Sequence, residues 1–343
     1  MKRKVLVVST SNRSRGGIAT VVSAISKQEV WAKYHCHWIK SHIDKGMARK
    51  LWQLLSSLLK YIALLPFYQI VHIHVSTTVS ANRKYIFFKL AKMFGKKTVI
   101  HLHCGSQLSE IWNSKYEDMF TNCDRCLTLS NGIKDYILSR INPKGRFEVL
   151  YNPCPDVACS NSNKKENNTI LFAATLYKAK GYLDLIEAFG KIARQHPTWR
   201  LLLAGNGDRQ EGIAMARKYG IEERVEFLGW IKGEKKEEVF RTSTIFCLPS
   251  YAEGFPMAVL DAWAYGLPVI TTPVGGIPDI VIDGKNGLLF NPGDTEALAS
   301  RLEMLISDKE LRKRLSDEAY KLSSTEFSLR TMSDRLSAIY NSI

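Results

Sequence analysis

At 343 residues with 45% apolar content, the chain is too long for one ordinary core, and two globular units of about 150 residues are expected. Its formal charge of +15 is lopsided: Met1 to Leu150 hold 24 Lys and Arg against 8 Asp and Glu, whereas the remainder holds 24 against 25. This composition excludes a disordered chain and points the first half at an anionic surface. Seven cysteines, an odd number with no signal peptide in view, argue against a disulfide framework and for a reducing cytoplasm. Cys123 and Cys126 form a lone C-x-x-C with no second pair to complete a metal set.

Lys4 to Ser9 (KVLVVS) reads as a buried strand, and SNRSRGGIATVVSAI as a glycine turn into a helix. In such a βα unit Gly16 and Gly17 let the backbone approach a phosphate or sugar. Between Asp44 and Glu110 there is no acidic residue but ten Lys and Arg. Inside that interval Met47 to Phe67 repeats leucines at i, i+3, i+4 spacing, with Trp52 and Tyr61 beside the stripe, Lys60 interrupting it and Pro66 ending it. The apolar run is too short to span a bilayer and reads as an interfacial helix or a domain helix with solvated lysines. Ile70 to Val75 and Thr98 to His103 are strands separated by a basic helix. His72, His74 and His101 lie inside them and read as satisfied structural histidines, whereas His103 falls at a strand end, where this class of sheet opens its crevice. Strands Arg125 to Leu129 and Glu148 to Leu150 follow, then a polar, proline-bearing stretch over 153–168 that reads as a linker.

The second half opens with the strand Thr169 to Ala174, the loop TLYKAKG and a helix from Tyr182. WRLLLAG ends a strand at Gly205, and VEFLGWI ends another at Gly229-Trp230-Ile231. The strand Thr244 to Leu248 is stopped by Pro249; a loop carrying Glu253 follows, and a helix starts near Pro256, with Met257, Val259, Leu260 and Trp263 at helical spacing. The free N–H groups of Met257, Ala258 and Val259 beside Gly254 make a phosphate site, and Glu253 and Asp261 are acceptors suited to sugar hydroxyls. A strand from Leu267 to Thr271, the turn PVGGIPDIV and an amphipathic helix complete a βα alternation that supports two doubly wound sheets.

The run Pro249 to Pro278, PSYAEGFPMAVLDAWAYGLPVITTPVGGIP, resembles the donor-binding signature of retaining glycosyltransferases of family 4, in which an E-x7-E pair flanks a Gly-Phe loop and a helix start. Glu253 takes the first acidic position and Asp261 replaces the second glutamate. Lys180-Gly181 match the end of that family's G-R-L-x-x-x-K-G loop, with Thr175 where arginine is expected and Lys178 as its substitute. The resemblance spans nearly the whole chain and is most specific from Gly229 to Phe290. It implies an α/β GT-B fold of two Rossmann-like domains facing across a cleft. Residues 1–152 would form the acceptor-side domain, 153–168 the linker and 169–326 the donor domain, with the last helix, 327–343, packing back on the first.

By the same resemblance Glu253, Lys180 and His103 would be catalytic. Gly16, Gly17, Thr175, Gly205, Trp230, Ile231, Gly254, Phe255, Pro256, Met257, Ala258, Val259 and Asp261 would hold the donor, Asp261 through its ribose. No metal and no cofactor are expected beyond the nucleotide-sugar substrate, a UDP-sugar ahead of a GDP-sugar. The basic first half adds an anionic, lipid-linked saccharide acceptor at the inner face of a bacterial membrane, in surface polysaccharide synthesis. Nucleic acid is not expected, because the aromatics near the lysines fall at helix-core spacing. A nicotinamide oxidoreductase needs G-x-G-x-x-G after the first strand, which SNRSRGGIAT lacks. A catalytically weak relative, given Thr175 and Asp261, and a non-enzymatic basic binding protein are the alternatives.

Overall fold

Parallel strands need a crossover between them, and here helices supply every one within the two sheets but the last, which is a loop with a single 3-10 turn over Ile277–Asp279. A computed structural model describes residues 3–12, 14, 16–44, 46–104, 108–157 and 167–343, in two compact units: Met1–Pro153 with Leu329–Ile343, and Cys154–Ser328. In the first unit β1 (Val5–Thr10) leads to α1 (Gly17–Ile25), α2 (Glu29–Lys33), β2 (His37–His42) and α3 (Met47–Leu64). There follow β3 (Ile70–Val75), α4 (Thr78–Met93), β4 (Lys97–Leu102), α5 (Leu108–Ile111) and α6 (Ser114–Asn122). Then come β5 (Arg125–Thr128), α7 (Asn131–Leu138) and β6 (Arg146–Val149). The six strands are parallel in the order β2-β1-β3-β4-β5-β6, so the strand order reverses between β1 and β3.

Strand residues alternate between faces, and the two faces of this sheet differ in kind. One carries Val71, Ile73, Val75, Ile100 and Leu102, which cluster with Tyr61 of α3, Phe87 and Phe88 of α4, and Tyr116 and Phe120 of α6. The other carries His72 and His74 from β3 and His101 from β4, with His74 directly opposite His101. The last helix, α14 below, closes on that unit: Tyr34 Oη donates to the Ser337 carbonyl at 2.8 Å, and Arg3 reaches the Tyr340 carbonyl at 2.6 Å.

The second unit runs β7 (Thr169–Ala173), α8 (Tyr182–Ile192), β8 (Arg200–Ala204), α9 (Arg209–Lys218), β9 (Val225–Gly229) and α10 (Glu234–Thr242). It continues with β10 (Ile245–Leu248), α11 (Met257–Ala264), β11 (Val269–Thr271) and β12 (Leu288–Leu289). The helices α12 (Thr295–Ser307) and α13 (Lys309–Ser324) complete it before α14 (Leu329–Asn341). Its order is β12-β11-β10-β7-β8-β9, again all parallel, with the reversal between β10 and β7. Trp263, fully buried on α11, lies 5.5 Å from Phe327 between ring centroids, with the rings tilted by 55°.

Most sequence-read elements stand within two residues of their expected ends. Two points differ. The strand β2 is not legible as an apolar run, because HWIKSH buries only Ile39 and Ser41 fully at the sheet edge. The helix expected over 47–67 is α-helical to Leu64 and then tightens into a 3-10 turn over Leu65–Phe67, since Pro66 has no N–H to continue the ladder. No helix among the described residues is long and apolar enough to cross a membrane. The described cysteines, Cys123 and Cys126 included, are free thiols, while Cys159 lies outside the described residues.

Candidate active site

The reversal between β7 and β10 opens a crevice at their carboxyl ends, and the second-unit candidates cluster around it. After β7 the chain makes a 3-10 turn over Lys178–Lys180 and exits through Gly181 at φ 70°. That conformation favours glycine, and a Cβ there would also overlap the Pro249 carbonyl oxygen at the end of β10. The close approach is sealed by Tyr251 N–H donating to the Ala179 carbonyl at 2.9 Å. Lys180 Nζ is thereby delivered to Glu253 Oε1 at 2.7 Å and to the Ala252 carbonyl at 3.3 Å. Ser250 Oγ donates to the same Oε1 at 2.6 Å. Both recorded donors converge on Oε1, which leaves Oε2, among the described residues, as the acceptor a hydroxyl could use.

The loop bearing Glu253 is itself held from below. Gly275, at φ 60°, packs so close that a Cβ would overlap the Glu253 carbonyl oxygen, and Gly276 N–H donates to the Gly254 carbonyl at 2.9 Å. The sequence GGIP is thus the floor of the Glu253 loop. Pro256 is the N-cap of α11 rather than part of its first turn. Its carbonyl accepts Val259 N–H at 3.0 Å, so that donor is engaged, contrary to the sequence expectation; Met257 and Ala258 keep N–H groups with no recorded acceptor among the described residues. Phe255 is buried and Gly254 half-buried beside them.

Asp261 points elsewhere. Its Oδ2 takes Lys236 Nζ of α10 at 2.7 Å; burial pushes the carboxyl above its usual range, and the Lys236 charge and hydrogen bond oppose this. The sequence reading missed Lys236 and Ser250. Ser250 lies three residues before Glu253, a signal available in PSYAE, whereas Lys236 was one lysine of a run, KGEKKEEVF, with nothing to single it out. Lys178, the expected substitute for the family arginine, pairs instead with Glu211 of α9 at 2.8 Å on the surface. Thr175 follows β7 and lends its carbonyl to Tyr177 N–H at 2.9 Å. Gly205 follows β8 where a Cβ would overlap the Ala174 carbonyl oxygen, and Trp230 is exposed just after β9 with Ile231 half-buried.

The remaining candidates belong to the first unit. Gly16 caps α1 at φ 118° and Gly17 begins that helix, both exposed at the carboxyl end of β1. His103 follows β4, half-buried, with Nε2 2.8 Å from His74 Nδ1. Burial, with the nearby Lys84 charge, pulls His103 down to about 3. His72 Nδ1 meets Tyr340 Oη at 2.6 Å, and burial pulls this ring down to about 3 as well. His101 breaks the expectation of a satisfied structural histidine: fully buried, it has no hydrogen-bond partner on either ring nitrogen among the described residues. It stacks against His103 instead, at 4.1 Å between centroids. One nitrogen each of His72, His74 and His101 lie within 4.8 Å of one another, a spacing open to a metal ion. The His72 ring, however, is within 17° of parallel to His74 and 18° to His101, so the in-plane lone pairs run side by side rather than to one point.

Residues 159–322 match the family model of the glycosyl transferases group 1. By sequence, that segment is similar to the group 1 glycosyl transferases. An uncharacterised glycosyltransferase of Haemophilus influenzae is 29% identical over 201 residues, 58% of this chain and 56% of that protein. The lipopolysaccharide 1,6-galactosyltransferase of Salmonella typhimurium is 30% identical over 57% of this chain and 56% of its own length. Both alignments therefore span a little over half of these relatives. Among solved structures, Anabaena Alr3699/HepE in complex with UDP superimposes with a TM-score of 0.79 at 18% identity, covering 99% of this chain and 100% of that one. At that identity the likeness is one of fold, the two-domain α/β GT-B architecture.

Proposed function

We propose that the protein is a glycosyltransferase that moves a sugar from a nucleotide-sugar donor to a saccharide acceptor, by a retaining and metal-independent route. The observation that carries this reading is the meeting of Lys180, Ser250 and Glu253 beside the start of α11, inside a segment with group 1 glycosyl transferase sequence. A retaining transfer must stabilise a departing diphosphate and an electron-poor sugar. Lys180 and the Met257 and Ala258 N–H groups are suited to the first task. Glu253 Oε2 would accept a sugar hydroxyl, and Asp261 would take the ribose once Lys236 yields it. His103, neutral at physiological pH, would orient the transferred sugar. A UDP-sugar is the favoured donor; UDP accompanies the Anabaena protein that shares the fold.

The acceptor we propose is a lipid-linked saccharide of a bacterial surface polysaccharide, met at the inner membrane surface. The apolar face of α3 supports this, with Leu51 68% and Trp52 71% exposed and Leu55, Leu59 and Ile62 continuing it, in a unit whose cations greatly outnumber its acids. The Salmonella relative acts on lipopolysaccharide, which is in keeping with such an acceptor.

Transfer assayed with a panel of nucleotide sugars and lipid-linked acceptors tests the reading. Glu253→Ala should lower turnover by about 10²–10³-fold, the scale for losing one polar group of a preorganised site, with the melting temperature of the second unit retained. Wild-type turnover in that variant would remove the proposed role. Wild-type protein should sediment with anionic vesicles at low salt and leave them as salt rises, each membrane-facing Lys or Arg contributing about 1 kcal/mol. Equal, salt-insensitive partition to neutral vesicles would sink the membrane reading.

A further inference from the structure

The edge strand β2 does not simply face solvent. Between it, α2 and α3 lies a pocket of ≈ 610 Å³, walled by Trp31, His37, Trp38 and Lys40 on one side and by Gln53 and Lys60 of α3 on the other. That volume falls in the range of small-ligand sites.

Four features give the pocket a chemistry. Trp38 Nε1 donates to the Thr10 carbonyl at 3.2 Å, so its polar edge is used and its ring stands against Trp31 at 6.2 Å in an edge-to-face pair. Lys40 Nζ lies 5.6 Å from the Trp38 ring centre, and neither Lys40 nor Lys60 has a carboxylate partner among the described residues. Gln53 Nε2 donates to the Lys40 carbonyl at 2.6 Å, which ties α3 to the strand edge and fixes the wall. His37 Nε2 is buried and has no partner among the described residues, a polar atom that normally finds one. Burial first, and then the Lys60 charge, pulls the His37 ring below its ordinary range. No Asp or Glu lines the pocket.

The two ammonium groups without a carboxylate partner, Lys40 and Lys60, suit the oxygens of a phosphate; the indole faces suit the carbon skeleton attached to it. The location narrows the source. At 100° per residue, Gln53 and Lys60 lie on the flank of α3 next to the exposed stripe of Leu51, Trp52, Leu55, Leu59 and Ile62. A helix lying with that stripe in the acyl region would hold its flank at headgroup depth. We propose that the β2–α3 pocket binds the phosphate headgroup of an anionic phospholipid. The choice of a lipid source rests on the membrane reading above, and the site is separate from the Glu253 crevice.

Calorimetry with six-carbon phosphatidylglycerol, kept below its micelle concentration, tests the pocket without a membrane. Saturable binding is expected, weakened tenfold or more in the Lys40→Gln, Lys60→Gln double variant. The same charge removed elsewhere, as Lys89→Gln with Lys144→Gln, should change it less than twofold. Absence of saturable binding, or equal weakening by both double variants, would overturn the proposal. Inorganic phosphate binding as tightly as the lipid would overturn the lipid source. In a parallel arm with phosphatidylglycerol vesicles, Leu55→Ser with Leu59→Ser should release the protein yet leave short-chain lipid binding intact. Vesicles that never bind wild-type protein while the soluble lipid does would sink the docking of α3 and leave the headgroup site standing.

Discussion

Each unit builds a six-stranded parallel sheet, yet the cations around the Glu253 crevice and those around the β2–α3 pocket are disposed in opposite ways. In the second unit, the site cations are matched inside the chain: Lys180 by Glu253, Lys236 by Asp261, Lys178 by Glu211. In the first unit, Lys40 and Lys60 have no carboxylate partner and the fully buried Lys84 donates, among the described residues, to the His74 carbonyl and to Ser80 Oγ at 3.0 Å. Burial pulls Lys84 down to about 7. A charge matched within the chain is held in one geometry before any ligand arrives. The comparison thus separates a Glu253 crevice preorganised by its own ion pairs from a β2–α3 surface whose cations the described residues leave unmatched, the surface for which an anionic partner is proposed above.

The largest effect that tests this contrast is acid. Four histidines, the buried His72, His74 and His101 and the half-buried His103, are all pulled down by burial in the first unit, while the second unit has only His196, paired with Glu303. Lowered values mean that the folded chain refuses protons which the unfolded chain binds below about 6.5. Stability is therefore full above pH 6.5 and is lost as pH falls towards 3, by about 1.4 kcal/mol per pH unit for each such ring. The first unit should melt ahead of the second at pH 5, followed by hydrogen exchange unit by unit, and His101→Leu should flatten its slope. Simultaneous loss of both units would refute the contrast.

Next in size, Lys180→Met should reduce transfer about 10²-fold or more, whereas Lys178→Met, removing an exposed surface pair, should change it less than twofold. Similar losses in the two would mean that Lys178 does stand in for the missing arginine. Backbone demands differ between the glycines of the two candidate sites. Gly181→Ala meets both a left-handed φ and the Pro249 carbonyl, and should cost the second unit about 3 kcal/mol. Gly16→Ala meets only an unfavourable φ in open space and should cost about 1 kcal/mol; denaturant midpoints compare the two. The smallest effect is at Asp261. Because burial raises its carboxyl, its ionised form opposes folding; Asp261→Asn should slightly raise the melting temperature at pH 7, and the gain should vanish as pH falls through the ordinary carboxylate range.

Much of the Glu253 crevice was legible in the primary structure because it is local. E-G-F-P, K-G and G-G-I-P are short runs whose glycines and prolines are demanded by the turns they form, and the observed overlaps at Gly181 and Gly275 explain why. What could not be read was pairing at a distance. The Lys236–Asp261 bond spans 25 residues and two helices, and the engagement of Val259 N–H by the Pro256 carbonyl depends on how α11 starts. Nor did β2 announce itself, since an edge strand buries too little for an apolar run. Its absence from the sequence reading also hid the pocket it forms with α3.

The histidines mark the same boundary. IVHIHV and TVIHLH, by alternation alone, place their rings on a single face of parallel strands, and charge counting alone assigns the basic excess to the first half. Both follow from period and composition, which are properties of the chain. Only the tertiary structure sets His74 against His101, leaves His101 without a partner, and joins Lys180 to Glu253 across 73 residues. Register and strand order decide which side chains meet, and neither is fixed until separate segments pair in one sheet.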